Sequence, residues 1–185
     1  MNRFTSMTTA TLLALAAGTA SAQMQNPMVG GAPMFANKTI VENAVNSADH
    51  KTLVAAVQQA GLVDTLNSAG PFTVFAPTDA AFGRISESSL NALMMDQNKA
   101  QLATILACHV VAANAMSDVI AGMIADSGGT HSVQTVGGCT LQASMKGNDL
   151  VLTDENGREA RVTIADVRQS NGVIHVIDRV LLPSQ

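Results

Sequence analysis

The sequence contains no tryptophan and no tyrosine, and only five phenylalanines represent the large aromatic residues. Nucleic-acid bases stack on aromatic side chains, and phosphates bind clusters of lysine and arginine. Because this chain has ten basic residues and no basic run, we do not expect it to bind nucleic acid. Its 185 residues are 47% hydrophobic, which suffices for one core of aliphatic side chains.

The sequence also lacks the short motifs of the common enzyme families. It has no nucleophile elbow, no P-loop, no glycine-rich dinucleotide-binding motif and no zinc-protease helix motif. His109 and His175 lie in apolar segments, where a histidine is expected to be a neutral, hydrogen-bonded core residue rather than a base. We therefore predict that the protein is not an enzyme and needs no cofactor. A hydrolase with an unforeseen site is the open alternative.

The N-terminal residues 1–22 have the pattern of a signal peptide. Arg3 supplies the positive charge, residues 11–18 form a short apolar stretch, and Ala-Ser-Ala at residues 20–22 is a cleavage pattern. The stretch is too short to span a bilayer, so no transmembrane span is expected in the mature chain. These features predict a secreted or periplasmic protein, with a buried N-terminal helix as the alternative.

Export would place Cys108 and Cys139 in an oxidising compartment, where disulfides persist. We predict one bridge between them, and two separate buried thiols are the alternative. A metal site would have to combine both cysteines with His109 or His131. No metal-ligand spacing supports such a site, so none is predicted.

The remaining chain divides into an arm and one domain. Residues 23–38 are rich in Pro, Gly and Asn and are expected to form an irregular arm, while residues 39–185 form the domain. Thr39 followed by Glu42 predicts a capping box at the first helix, and Asp49 is expected to cap the second.

Apolar residues recur at helical spacing in the first half of the domain, and alternating strand-like segments dominate the last third. The dipeptides Asn156-Gly157 and Asn171-Gly172 each precede a strand-like segment, which is the pattern of β-hairpins. Helices early and strands late predict an α+β domain with helices packed on antiparallel sheet.

Three segments resemble the fasciclin domain family. Residues 70–82 resemble its first signature box, residues 171–183 its second, and residues 106–111 the strand between them. The resemblance covers nearly the whole mature chain. With its flanking arm and its two cysteines, the chain is similar to small exported bacterial proteins that have a single such domain. It implies two small, mainly antiparallel sheets wedged with several short helices, and a role in adhesion or matrix contact like that of periostin.

The resemblance also implies candidate binding residues. The family's Asp-Ile motif falls on Asp166-Val167, and its Tyr-His pair falls on Cys108-His109, so the Tyr is lost. Asp166 could instead cap the following turn. Asp79 lies in the first turn of a short helix, where a carboxylate is stabilised by the helix dipole, and the alternative role is an exposed contact residue.

Together these patterns predict an exported, non-catalytic adhesion module. Its partner would be a cell-surface or matrix protein or a glycan. The alternative function is a periplasmic protein that binds a small apolar ligand between its sheets and helices. The sequence has no feature that fixes an oligomeric state.

Overall fold

The computed structural model describes residues 26–184. The predicted signal peptide, residues 1–22, lies outside the described residues. Helices predominate up to residue 126, and strands predominate after it. The helices are α1 (Ile40–Ala44), α2 (Lys51–Ala60), α3 (Val63–Asn67), α4 (Asp79–Phe82), α5 (Glu87–Leu93), α6 (Lys99–Ala107) and α7 (Ser117–Asp126), with a 3₁₀ turn at Asp96–Asn98.

The strands form a two-stranded ladder near the N-terminus and a seven-stranded sheet. They are β1 (Met28–Val29), β2 (Ala32–Pro33), β3 (Phe72–Pro77), β4 (Val110–Val111), β5 (Thr130–Gln134), β6 (Thr140–Lys146), β7 (Asp149–Thr153), β8 (Glu159–Gln169) and β9 (Gly172–Ile177). The order in the large sheet is β4-β3-β9-β8-β7-β6-β5. Every pairing in it is antiparallel except that of β3 with β9.

Strand β8 joins the two halves of this sheet. Its first residues pair with β7 and its later residues pair with β9, with register shifts on either side of Ile164. Such irregularities bend a strand and increase its twist. The sheet thus divides into β4-β3-β9-β8 and β8-β7-β6-β5. The predicted α+β class, with mainly antiparallel sheet and several short helices, is confirmed.

Two groups of buried aliphatic side chains make up the core. The first, here called the helix-side cluster, joins helices α1 to α6 to strands β3 and β9. The second, the sheet cluster, joins α7 to strands β6, β7, β8 and β9. Aliphatic residues therefore build the core, as the low aromatic content predicts, and Phe75 and Phe82 are its only phenylalanines among the described residues.

The N-terminal arm contains regular structure. Residues 28–33, predicted to be irregular, form a small antiparallel hairpin in which Val29 pairs with Ala32. Gly30 and Gly31 connect its strands with φ of 57° and 76°, which suits a tight hairpin turn and which other residues seldom adopt. The composition of the arm indicates a turn, but two-residue strands leave no alternation in the sequence to detect.

The ends of the first two helices differ in how they are capped. The Thr39–Glu42 capping box at α1 is confirmed. The prediction that Asp49 caps α2 is wrong, because the residue before the helix is His50, whose side chain makes no capping bond. The amide of Thr52 in the first turn of α2 instead donates to the carboxylate of Asp79 in α4.

Candidate functional site

Asp166 lies in β8 and holds the start of helix α7. Its Oδ1 accepts a 2.7 Å hydrogen bond from the backbone amide of Ser117, and its Oδ2 accepts one from the Ser117 hydroxyl. A carboxylate at this place satisfies a free amide of the first turn and interacts favourably with the helix dipole. Asp166 has φ of 60°, a conformation that Asp adopts more readily than most residues. Both oxygens of the half-buried carboxyl group therefore have a partner within the domain.

His175 in β9 is hydrogen-bonded to the backbone of Asp166. Its Nδ1 accepts a 3.3 Å hydrogen bond from the Asp166 amide, and its Nε2 lies 2.8 Å from the carbonyl oxygen of Ala115. Nε2 therefore carries the proton. Burial lowers the pKa of His175, although the bond to Ala115 and the charge of Asp166 oppose this effect. The side chain is completely buried and stacks on Phe75, which confirms the predicted core position.

His109 fixes the C-terminal segment to the core. Its Nδ1 lies 2.8 Å from the carbonyl oxygen of Ile105, and its Nε2 accepts a 2.9 Å hydrogen bond from the amide of Leu181. Burial lowers the pKa of His109 to about 4, and the Ile105 bond and the charge of Asp154 offset only part of this effect. At neutral pH His109 is a neutral, buried residue with both nitrogens bonded.

Asp79 joins two helix starts. Its Oδ1 accepts a 2.8 Å bond from the Thr52 amide at α2, and its own amide donates to the carbonyl of Asp49 at 2.7 Å. Thr78 caps α4 itself, because its hydroxyl oxygen accepts from the Ala81 amide at 3.2 Å. The half-buried carboxylate thus stabilises the neighbouring helix rather than its own.

The predicted disulfide between Cys108 and Cys139 is confirmed. Both half-cystines are buried. The bridge connects the end of α6 to the residue before β6, and Gly137 nearby donates from its amide to the carbonyl oxygen of Ala107 at 3.0 Å. The bridge therefore links the helical half of the chain to the outer half of the sheet.

The four predicted binding residues do not form one exposed site. Val167 is completely buried, and His109 is 2% exposed. Asp166, Asp79 and His109 each hold a different junction: the start of α7, the start of α2 and the C-terminal segment. Their predicted roles in binding stay predictions, and the geometry gives each side chain a structural partner.

Two further polar residues connect distant segments of the domain, and sequence reasoning missed both of their roles. Asn171 is buried; its Oδ1 accepts from the Ile40 amide, and its Nδ2 donates to the carbonyls of Leu66 and Ser68. Asp154, also buried, accepts from the amide of Leu182 at 3.1 Å and pairs with Arg158 at 3.0 Å. The sequence marks both residues only as parts of turns.

The arrangement offers little to a nucleophilic mechanism. The exposed Ser127 hydroxyl lies 3.0 Å from His131 Nδ1, but across residues 26–184 no carboxylate bonds the other ring nitrogen. In the same span no three His, Cys, Asp or Glu residues are grouped so that they could hold a metal ion. None of the described helices has the length and apolar character needed to cross a membrane.

Comparisons with known proteins agree with this architecture. The Fasciclin domain family model matches residues 48–183. Protein sll1483 of Synechocystis sp. is 40% identical over 149 residues, which cover 78% of this chain and 73% of that protein. Cell surface glycolipoprotein MPB83 of Mycobacterium bovis is 32% identical over 172 residues, covering 90% of this chain and 70% of that protein.

A solved structure shares the fold. The FAS1 domain pair from the insect cell adhesion molecule Fasciclin I superposes with a TM-score of 0.70 at 21% sequence identity, over 78% of this chain. This chain spans 51% of that chain.

Proposed function

Because the chain belongs to the fasciclin domain family, we propose that it is an exported binding module that attaches to a cell-surface or matrix protein or glycan without catalysis. MPB83 is named a cell surface glycolipoprotein, and the FAS1 domain pair comes from a cell adhesion molecule. The pattern of residues 1–22 supports export to the medium or the periplasm. A fold alone does not give a function, so the proposal depends on a surface that could make the contact.

The outer face of helix α7 is the surface that we propose. Val119 and Met123 lie four residues apart on this helix and are 43% and 41% exposed. Residues at this spacing are neighbours on one helix face. Methionine is a flexible side chain that adapts to different partner surfaces, and apolar residues at the centre of a contact with polar residues around it are typical of protein interfaces. This exposed pair is the observation that carries the proposal.

Asp166 would act in binding by positioning this face. Its carboxylate holds the first turn of α7, so the direction of the helix depends on it. His175 in turn holds the backbone of Asp166. His109, Val167 and Asp79 lie at other places in the domain, and in this proposal they contribute only by stabilising the fold.

Attachment of living cells tests the proposal. A strain of the source organism that lacks the gene is compared with the wild type on host-like and abiotic surfaces, and purified protein of residues 23–185 is added back. We expect attachment to fall in the deletion strain and to be restored by the pure protein. Equal attachment of both strains on every surface would overturn the proposed function.

A further inference from the structure

Methionine carries the oxidisable sulfur of this protein. The sequence has no tryptophan and no tyrosine, and its two cysteines are joined to each other in the disulfide. The remaining sulfur atoms belong to ten methionines. A thioether reacts with peroxide to give a sulfoxide, which is polar where the thioether was apolar. A peroxide in the surroundings of the protein should therefore act chiefly on its methionines.

The methionines that the structure describes differ in burial. Met34 is 2% exposed, and Met94 and Met116 are half-buried. The others are exposed: Met28, Met95, Met123 and Met145. A dissolved oxidant reaches exposed side chains without prior unfolding of the domain, so these four are the expected targets.

Met123 is the exposed methionine that lies on the proposed attachment face. It is 41% exposed, and Val119, one helical turn away, is 43% exposed. Ile120 and Ile124 belong to the sheet cluster and are each 3% exposed, so the helix turns its other side toward solvent. No heavy atom would lie within 4 Å of a Cβ atom on the neighbouring Gly122. Open space therefore adjoins Met123 on this side of the helix.

We propose that Met123 is a modification site, at which oxidation of its thioether by hydrogen peroxide prevents attachment through α7. A lone pair of Sδ attacks one oxygen of the peroxide, and the S–O bond forms as the O–O bond breaks. The proton on the transferred oxygen passes to the other oxygen, which leaves as water. The sulfur loses two electrons and the peroxide gains them, so that the products are methionine sulfoxide and water. This inference rests on the proposed function.

The sulfoxide changes what the face of α7 offers to a partner. Its oxygen is hydrogen-bonded to water in the free protein, and burying such a group in an apolar contact without a new partner is unfavourable. Met123 belongs to neither core cluster, so its oxidation should leave the fold intact. Methionine sulfoxide reductases restore the thioether, which makes the modification reversible.

Peroxide treatment of the purified protein of residues 23–185 tests the site. Peptide mass spectrometry measures the sulfoxide at each methionine, and melting temperatures show whether the protein stays folded. Binding to surfaces that the source organism colonises is measured before and after treatment. We expect Met123 to be oxidised well before the buried Met34, and the treated protein to bind at least about tenfold more weakly. Treatment with a methionine sulfoxide reductase should restore binding.

Two variants assign the effect to one methionine, each compared with its own binding before treatment. Met123→Leu removes the sulfur from α7, so treatment should leave its affinity unchanged. In the control variant Met28→Leu, Met95→Leu, Met145→Leu, Met123 remains, so treatment should weaken binding by the same factor as in the wild type.

The outcomes separate this inference from the proposed function. If the untreated wild type does not bind, attachment itself is wrong and the inference fails with it. If the untreated protein binds, three results would overturn the modification site alone. These are a Met123 that stays unoxidised in the folded protein, equal binding of the wild type after oxidation of Met123, and a control variant that keeps its affinity once Met123 is oxidised.

Discussion

The Oδ1 atom of Asp166 lies 2.7 Å from the backbone nitrogen of Ser117, which precedes it by 49 positions in the sequence. This bond connects the middle of β8 to the start of α7. It explains why a residue other than glycine keeps a φ of 60° within a strand, since the conformation directs the carboxylate to the helix. The residue that the family resemblance marks for binding therefore sets the position of the exposed helix.

Replacing Asp166 by alanine should lower the free energy of unfolding by about 2 kcal/mol, because the helix loses its capping group and alanine is strained at positive φ. Asp166→Asn should cost clearly less, since asparagine tolerates this conformation and its side-chain oxygen can still accept from Ser117. Urea unfolding of the three proteins measures the difference. Equal stability of Asp166→Ala and the wild type would show that the bond to Ser117 does not contribute to the free energy of unfolding.

His109 should make the stability depend on pH. Its pKa is about 4 in the folded protein and near 6.5 when the chain is unfolded. Between these values the unfolded chain binds a proton that the folded protein does not, so stability falls as the pH is lowered from about 6.5 to about 4. The two pKa values correspond to a loss of roughly 3 kcal/mol from this residue.

The comparison with His109→Gln isolates this contribution, because the carboxylates of the protein titrate in both chains. Urea unfolding at pH 7 and at pH 4.5 gives the decrease in the free energy of unfolding for each of the two proteins. We expect a smaller loss in the variant, whose own stability at pH 7 is lower. If both proteins lose the same amount, His109 does not titrate as described.

Two glycines should respond in opposite directions to alanine. A Cβ atom on Gly172 would lie 2.0 Å from the carbonyl oxygen of Phe72, its neighbour in the parallel pairing of β3 and β9. Gly172→Ala should therefore destabilise by about 3 kcal/mol. Gly122 in α7 has open space around it, and Gly122→Ala should stabilise by about 0.5–1 kcal/mol. If the melting temperatures of the two variants change in the same direction, the predicted difference between the two glycines is wrong.

Thiol titration of the denatured, unreduced protein should find no free thiol, because Cys108 and Cys139 are bonded. The bridge spans 31 positions, and its removal in a Cys108→Ala, Cys139→Ala variant should cost roughly 3–4 kcal/mol by the chain-entropy model. The wild-type protein unfolded under reducing conditions also lacks the bridge, so its free energy of unfolding should match that of the variant. Two titratable thiols in the unreduced protein would refute the bridge in solution.

The sequence predicts those features that depend on nearby residues or on composition. The Thr39–Glu42 capping box spans three residues, and its pattern is sufficient. The hairpin of β7 and β8 follows from Asn156-Gly157 between alternating segments. The disulfide follows from two cysteines and the signal-peptide pattern, and the family from two long signature segments.

Contacts between distant segments could not be predicted in this way. Asp79 rather than Asp49 caps α2, since Asp79 reaches Thr52 across 27 positions. Asn171 bonds Ile40 across 131 positions, a distance at which sequence periodicity carries no information. The resemblance locates Asp166, but only the tertiary structure shows that its carboxylate is hydrogen-bonded to Ser117.

The binding of fluorescently labelled protein to surfaces that the source organism colonises tests the proposed function most directly. The variant Val119→Ser, Met123→Ser removes the exposed pair on α7. A control variant, Val45→Ser, Met95→Ser, removes two apolar residues that are 53% and 51% exposed elsewhere. We expect the first variant to bind at least about tenfold more weakly and the control to bind like the wild type. Equal binding of all three folded proteins would contradict an attachment surface on α7.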